Sequence, residues 1–404
     1  MTAFRCRIIV ILTVAGVFAV SGAVTVNNTF ASDLSDWMYD RYESELFGFM
    51  EARQGWRLQD DPHEEDETIS EARFQLDLSK EFDFSFSPAK FMDVKAGRQI
   101  QTWGTGDLLF INDLFPKDWE SFFTGRDDEY LKAPSDSIRT SFFSDAVNLD
   151  ISYSPLFNGS NYIDGSRLSY WNGARIAGRE DRFRDDERNR FLRDDEISMR
   201  ISKTIEGIEL ALYGYNGFWQ TPEGLDPDTG KGIYPRLRTV GGSARGPMLG
   251  GIGYAEAGYY DSHQDRDGSD PFIRNSEVRF LAGYERELDR NLTGGLQYYL
   301  EWMLDYSEYE SSLLPGAVRK DEERHVLTLR LTRLMMNQNL KVSLFVYYSP
   351  SDQDAYFRPK IHYKVSDRWS IETGGNIFTG KDDHTFFAQF EDNTNAYAGA
   401  RYSF

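Results

Sequence analysis

The chain has 404 residues, a formal net charge of −20 and a single cysteine, Cys6. The acidic balance argues against nucleic acid as a partner, and one cysteine excludes an internal disulfide. Aromatic residues make up 15 % of the chain, although 27 % of it is charged. This combination is typical of transmembrane β-barrels, in which only every second strand residue faces lipid.

The first residues have the pattern of an export signal. Arg5 and Arg7 precede an apolar run at 8–20, and small residues surround positions 23 and 31. The run is too short to span a membrane as a helix. We therefore predict a signal peptide over 1–31, cleaved after residue 23 or 31, and a periplasmic segment over 32–44. An anchor helix is the alternative.

From residue 45 onward, apolar and polar residues alternate in runs that are bounded by turn residues, which predicts strands with two different faces. The chain ends on such a run, in which Ala396, Ala398, Ala400, Tyr402 and Phe404 share one face. The predicted strands span 45–58, 70–79, 90–103, 137–143, 146–154, 195–205, 208–218, 236–246, 249–261, 275–288, 292–305, 323–334, 340–349, 356–366, 369–379 and 394–404. In the third strand, Arg98 falls on the apolar parity, which predicts a bulge there.

The connections between these strands sort into two kinds. Short ones such as 206–207 alternate with connections that are mostly long and polar, such as 104–136 and 155–194. Outer-membrane barrels have short periplasmic turns and long external loops, and closure pairs every backbone group that would otherwise face hydrocarbon. The predicted fold is all-β, a transmembrane up-and-down antiparallel β-barrel of about 16 strands over 45–404, in the bacterial outer membrane. A soluble β-sandwich or a propeller is the alternative.

The polar parity of these strands predicts a lumen wall of both charge signs, because charges on the lipid face are costly. The basic residues predicted to line the lumen and the substrate path are Arg73, Arg139, Arg200, Arg279, Arg330, Lys341, Arg358, Lys360, Lys364 and Arg401. Arg238 is assigned to the same face. The last five strands are the most basic, which predicts a path for anions. The alternative is that internal ion pairs neutralise the wall.

The segment from Gly97 to Asp107 and on to Asp118 contains Gly-Arg-Gln, Trp-Gly and Pro-Lys-Asp. It resembles a Gly-Arg-Gln…Trp-Gly…Asp…Pro-x-Asp stretch of porin-like families, including the alginate-export type of barrel. The resemblance implies that the connection 104–136 folds into or over the lumen. The residues that it marks in this constriction loop are Trp103, Asp107, Asp113, Lys117 and Asp118. Alginate-export barrels have a basic lumen for an acidic polysaccharide, whereas the wall here has both signs.

The function predicted from these patterns is a porin-like channel for small hydrophilic solutes, with anions as a candidate class. The alternative is an export conduit, or a sheath around a periplasmic partner such as a polysaccharide-export component or a multihaem cytochrome. A barrel hydrolase built on Ser343 and His362 would need a third, orienting group, so we predict neither a catalytic site nor a metal or cofactor. The predicted partners are outer-membrane lipid, lipopolysaccharide, the solute and the barrel-assembly machinery, which by resemblance recognises the C-terminal aromatic residue.

Overall fold

The computed structural model describes residues 2–12, 44–82 and 91–404. Most of the described chain forms strands: β1 (Thr2–Leu12), β2 (Ser44–Arg57), β3 (Glu67–Phe82), β4 (Met92–Gln99), β5 (Ser135–Phe142), β6 (Asn148–Ser154), β7 (Tyr170–Trp171), β8 (Ile176–Ala177), β9 (Glu196–Ile205), β10 (Ile208–Phe218), β11 (Gly224–Leu225), β12 (Gly232–Ile233), β13 (Arg236–Met248), β14 (Gly251–Ser262), β15 (Glu277–Asp289), β16 (Leu292–Met303), β17 (Glu323–Met335), β18 (Leu340–Ser349), β19 (Asp354–Lys364), β20 (Trp369–Gly380) and β21 (Asn395–Ser403). The helices are α1 (Trp119–Thr124) and α2 (Tyr306–Ser312). No helix within the described residues has the length and apolar character needed to cross a membrane.

Seventeen of the described strands belong to one antiparallel sheet, and the sixteen from β2 to β21 form an up-and-down barrel, which confirms the predicted fold class. Consecutive long strands pair with one another from β4 round to β21, and the chain's last strand then pairs with β2, from Phe49 opposite Ser403 to Arg57 opposite Asn395. The terminal alternation is therefore the pattern of a closing strand.

The join between β3 and β4 is the irregular part of the wall. In the described residues, β3 pairs with β2 on one edge and with β1 on the other, and β4 pairs with β5. The predicted signal peptide overlaps β1, whereas its remainder over 13–31 and the segment 32–43 lie outside the described residues. The signal peptide and its cleavage therefore stay predictions.

The two faces of the wall have opposite character. Outward-facing Leu212, Val240 and Leu296 are 64 %, 63 % and 58 % exposed, whereas inward-facing Glu256 and Tyr356 are buried. An apolar exterior around a polar interior is the arrangement of a barrel in hydrocarbon, and the inverse of a soluble sandwich.

Two strand assignments need correction. The ladder between β4 and β5 has no register shift, so no bulge forms at Arg98; this residue faces outward beside Asp136, 3.9 Å away. Arg238 also faces outward, because it lies opposite Asn216 on β10 and on the parity of Val240. The small residues at 241–244 of β13 provide no apolar alternation from which its parity could be predicted.

Candidate functional site: the lumen and its inner loop

The connection from β4 to β5, residues 100–134, lies inside the barrel and is called the inner loop below. Its path is fixed first at β14, where buried Glu256 accepts hydrogen bonds from the backbone N–H groups of Thr105 and Asn112, both at 2.7 Å. The Thr105 hydroxyl and the Asn112 side-chain amide donate to the same carboxylate at 3.0 Å. Four donors to one buried carboxylate make this contact specific, because an unpaired charge there would be costly.

The helix α1 seats the middle of the inner loop against the opposite wall. Asp118 caps its N-terminus by accepting from the Ser121 N–H at 2.8 Å, and Gly125 ends it with φ of 87°, which favours glycine. The buried rings of Phe122 and Phe123 lie 6.0 and 5.5 Å from that of Tyr356 on β19. The short helix is therefore held by its caps and by aromatic packing rather than by its own length.

A buried ammonium group shapes the turn before α1. Lys117 Nζ donates to Asp113 Oδ1 at 3.0 Å and to the Phe115 carbonyl at 2.7 Å. Burial lowers the pKa of Lys117, although Asp113 opposes that shift. The Thr102 hydroxyl donates to the other Asp113 oxygen, and Trp103 packs edge-on against Phe115 at 4.9 Å. Of the five residues marked in this loop, Trp103, Asp113, Lys117 and Asp118 thus make contacts that hold the loop's own shape.

The fifth marked residue, Asp107, binds the wall instead. It forms a two-point ion pair with Arg330 on β17, in which Nη2 lies 2.8 Å from Oδ1. Further along the loop, Asp128 lies 2.9 Å from Arg358 on β19. Burial alone would raise the pKa of Asp128, but Arg358, Lys360 and Arg330 together hold that pKa below its usual value.

The same pairing continues towards the last strand. Lys360 lies 3.6 Å from Asp127, and Arg401 lies 3.2 Å from Glu129. Four acidic residues of the inner loop therefore face four basic residues of β17, β19 and β21. This arrangement favours the alternative left open by the sequence, in which ion pairs neutralise the basic wall.

All ten predicted wall residues lie on the inward parity. The six that do not pair with an inner-loop carboxylate differ in their partners. Arg73 pairs with Glu71 and stacks on the inner-loop ring of Tyr130 at 4.1 Å. Arg139 and Arg200 pair with Asp150, Arg279 with Glu277, and Lys364 with Asp367, whereas Lys341 has no carboxylate within ion-pair distance among the described residues. Positions on one face of the wall could thus be predicted, but not the contacts that each would make.

Aromatic side chains fill the lumen on the side of the long loops. Phe378 stacks on Tyr356 with ring centroids 4.4 Å apart, and Phe387 and Phe390 of the connection 381–394 pack on the same group. The sequence analysis missed this cluster. Its signal is an aromatic ring on the polar parity, as at Tyr347 and Tyr356, where a wall around open water would have polar groups.

Space remains nearer the short turns. A cleft there, partly open to solvent, is lined by Glu51, Arg53, Asp127, His362 and Arg401 among others. Side chains of both signs surround it, so it suits water and hydrophilic solutes better than apolar ones. The inner loop therefore narrows the bore between a hydrated cleft and an aromatic cluster.

No protein-family model matches the sequence, and no curated protein matches it. Among solved structures, a mutant of the Rh. blastica porin is similar, with 14 % identity and a TM-score of 0.41 over 89 % of this chain and 100 % of that one. OccAB3 of Acinetobacter baumannii has 11 % identity and a TM-score of 0.43 over 90 % and 99 %. A loop-deletion mutant of OmpT, an outer membrane protein of Vibrio cholerae, has 9 % identity and a TM-score of 0.41 over 89 % and 99 %. The barrel itself is established by the pairing of its strands, and this likeness is one of fold alone.

Proposed function

We propose that the protein is an outer-membrane channel through which small hydrophilic solutes diffuse, with the inner loop as its constriction. The observation that supports this most directly is the wall itself. It is apolar outside, polar and charged inside except at the aromatic cluster, and joined from its last strand to β2. Such a wall is stable only where hydrocarbon surrounds it and water enters it.

Aromatic residues at the short-turn rim support a membrane location. On the outward parity there, Trp369 and Tyr402 lie 5.1 Å apart, and Phe404 lies 6.2 Å from Tyr402. Aromatic rings of this kind form girdles at membrane interfaces. We place the short turns in the periplasm and the long loops outside the cell, as in other outer-membrane barrels.

The ion pairs between the inner loop and the wall define the solute class that we propose. Because Asp107, Asp127 and Asp128 offset the basic residues that they face, the bore has little surplus positive charge on that side. We therefore propose neutral or weakly charged hydrophilic solutes rather than an acidic polysaccharide. The aromatic cluster occupies space that a sheathed partner would need, so a channel is favoured over a conduit around another protein.

Single-channel recording of the purified protein in a planar bilayer tests this function. The variant F122A/F123A removes the rings that seat α1, and we expect its conductance to exceed that of the original protein severalfold. The matched control L212A removes an exposed outward side chain and leaves conductance unchanged. Protein that runs as a heat-modifiable folded barrel on a gel but gives no conductance steps contradicts the proposed function.

A further inference from the structure

A group of arginines lies on the outer side of the barrel at the long-loop end, and is called the rim cluster below. It consists of Arg188, Arg190, Arg193, Arg236 and Arg238. The ladder places Arg236 opposite Phe218 and Arg238 opposite Asn216, on the parity that faces away from the lumen. Arg236 and Arg238 therefore do not border the solute path.

The rim cluster is held in place by its own packing. The guanidinium groups of Arg188 and Arg236 lie 4.7 and 4.8 Å from the ring centroid of buried Phe218. Arg236 donates to the Arg193 carbonyl at 3.2 Å, and Arg188 donates to the Tyr234 carbonyl at 2.9 Å. Stacked guanidinium groups lose little freedom when they bind an anion, because their planes are already oriented.

Carboxylates pair with only part of the rim cluster. Asp194 lies 3.7 Å from both Arg188 and Arg190 and is itself buried, and the charge of Asp186 also acts on Arg188. Asp261, which is opposite Arg238 in the ladder, is bound by Arg266 at 2.9 Å. In the described part of the chain, Arg193, Arg236 and Arg238 have no carboxylate within ion-pair distance. Three guanidinium groups without an ion-pair partner among the described residues lie close together in a protein of formal net charge −20, so they are a local feature and not a reflection of composition.

Apolar side chains adjoin these charges. Phe191 and Leu192 stand between Arg190 and Arg193 in the chain and are 66 % and 59 % exposed. They continue the apolar outer wall, on which Val240 is exposed one outward position beyond Arg238. Basic side chains beside exposed apolar ones are typical of a surface at the boundary between lipid tails and headgroups.

We propose that the rim cluster binds the phosphate groups of a phosphorylated glycolipid in the outer leaflet, while Phe191 and Leu192 enter its acyl region. Arginine suits this ligand because its planar fork donates to two phosphate oxygens at once. Lipid is the occupant that the structure favours, since the rim cluster is continuous with the lipid-facing wall and its charge is complementary to phosphate. The assignment rests on the outer-membrane location proposed above and gives the lipid predicted as a partner a specific site.

The test titrates diphosphorylated lipid A into the detergent-solubilised protein and counts bound lipid by native mass spectrometry. We expect the variant R193Q/R238Q to bind about 30-fold more weakly, from about fivefold for each basic side chain near an anionic surface. The control R175Q/R319Q removes exposed loop arginines that are paired with Glu180 and Glu310, and keeps full affinity. A second variant, F191S/L192S, should weaken the binding of lipid A but leave the salt dependence of that binding unchanged.

Each result decides the proposal. Unchanged binding by R193Q/R238Q, or equal binding of enzymatically dephosphorylated lipid A, overturns it. Inorganic phosphate at millimolar concentration is the competitor. If it abolishes the difference in binding between phosphorylated and dephosphorylated lipid A, the arginines bind free phosphate, which also overturns the proposal. Conductance separates this inference from the proposed function: a conducting protein without lipid selectivity refutes the rim cluster alone, whereas selective lipid binding without conductance refutes the channel alone.

Discussion

Removing the acidic charge of the inner loop should make the bore select anions. The variant D107N/D127N/D128N/E129Q keeps the side-chain shapes but removes four negative charges that face the wall. The basic residues that lose a partner are Arg330, Arg358, Lys360 and Arg401. Lys360 keeps Glu372 at 2.8 Å and Arg401 keeps Glu51 at 2.6 Å, so the wall stays folded around the change.

The size of the effect follows from the distances. An anion about 8 Å from each of four added positive charges gains roughly 0.5 kcal/mol from each in water, and salt screening reduces the total to about 1 kcal/mol. That enriches anions about fivefold and depletes cations about fivefold, a permeability ratio of about 25. In a tenfold KCl gradient it shifts the reversal potential by about 50 mV, against an ideal limit of about 59 mV.

The assay is the reversal potential of single channels across that gradient. A matched control removes four exposed acidic residues of the external loops, Asp60, Asp228, Asp382 and Asp383, as amides. We expect it to shift the potential by only a few millivolts, because screening weakens charges beyond about 10 Å. A quadruple variant whose reversal potential equals that of the original protein would refute the inference that these ion pairs set the charge of the bore.

Three further predictions concern the loops. G125A should loosen α1 and add noise to the open-channel current without unfolding the barrel. The reason is that a Cβ at this position of positive φ would lie 2.2 Å from the Tyr397 ring. A current as quiet as that of the original protein contradicts this prediction. K117M should destabilise the inner loop by about 3–5 kcal/mol, because it leaves Asp113 buried without its cation. The measurement is the protease resistance of the loop, which K117M should lower and the double variant K117M/D113L should largely restore. Burial raises the pKa of Glu64 to about 7, so the folded state holds the proton that an unfolded chain releases near 4.5. Its stabilising effect is therefore complete below about pH 4.5 and is lost as pH rises through 7. The hydrogen-exchange protection factors of residues 58–66, which correct for the intrinsic pH dependence of exchange, should accordingly be larger at pH 5 than at pH 8, and E64Q should remove most of that difference.

The strands could be predicted because the two solvents of a barrel wall impose a period of two on the sequence. The predicted strand 208–218 has the bounds of β10, and 340–349 those of β18. Where small residues or a rim position weaken that contrast, the prediction was wrong, as at Arg98 and Arg238. The prediction assumed that every charged side chain of a strand faces the lumen. Near the rim of the barrel, however, a long arginine side chain on the outward face can extend to water.

The contents of the lumen could not be predicted from the same pattern. Alternation assigns Arg358 to the inside, but it does not indicate that Asp128, 230 residues away, would be its partner. The sequence does contain one relevant signal. The charge of the acidic run Asp127-Asp128-Glu129 is about equal and opposite to that of the basic wall, so the run could have been predicted to pair with it. The aromatic rings of Tyr347 and Tyr356 on the polar face were another, because a ring facing inward needs something to pack on.

The inner loop is synthesised early and its attachment points late. Asp107 precedes Arg330 by 223 residues, and Glu129 precedes Arg401 by 272. Because contacts so distant in sequence can form only after the intervening strands are in register, the interior must be completed last. A nascent barrel would thus pass through a wide, unobstructed stage, and a defect in the inner loop would leave assembly intact while producing a permanently leaky envelope.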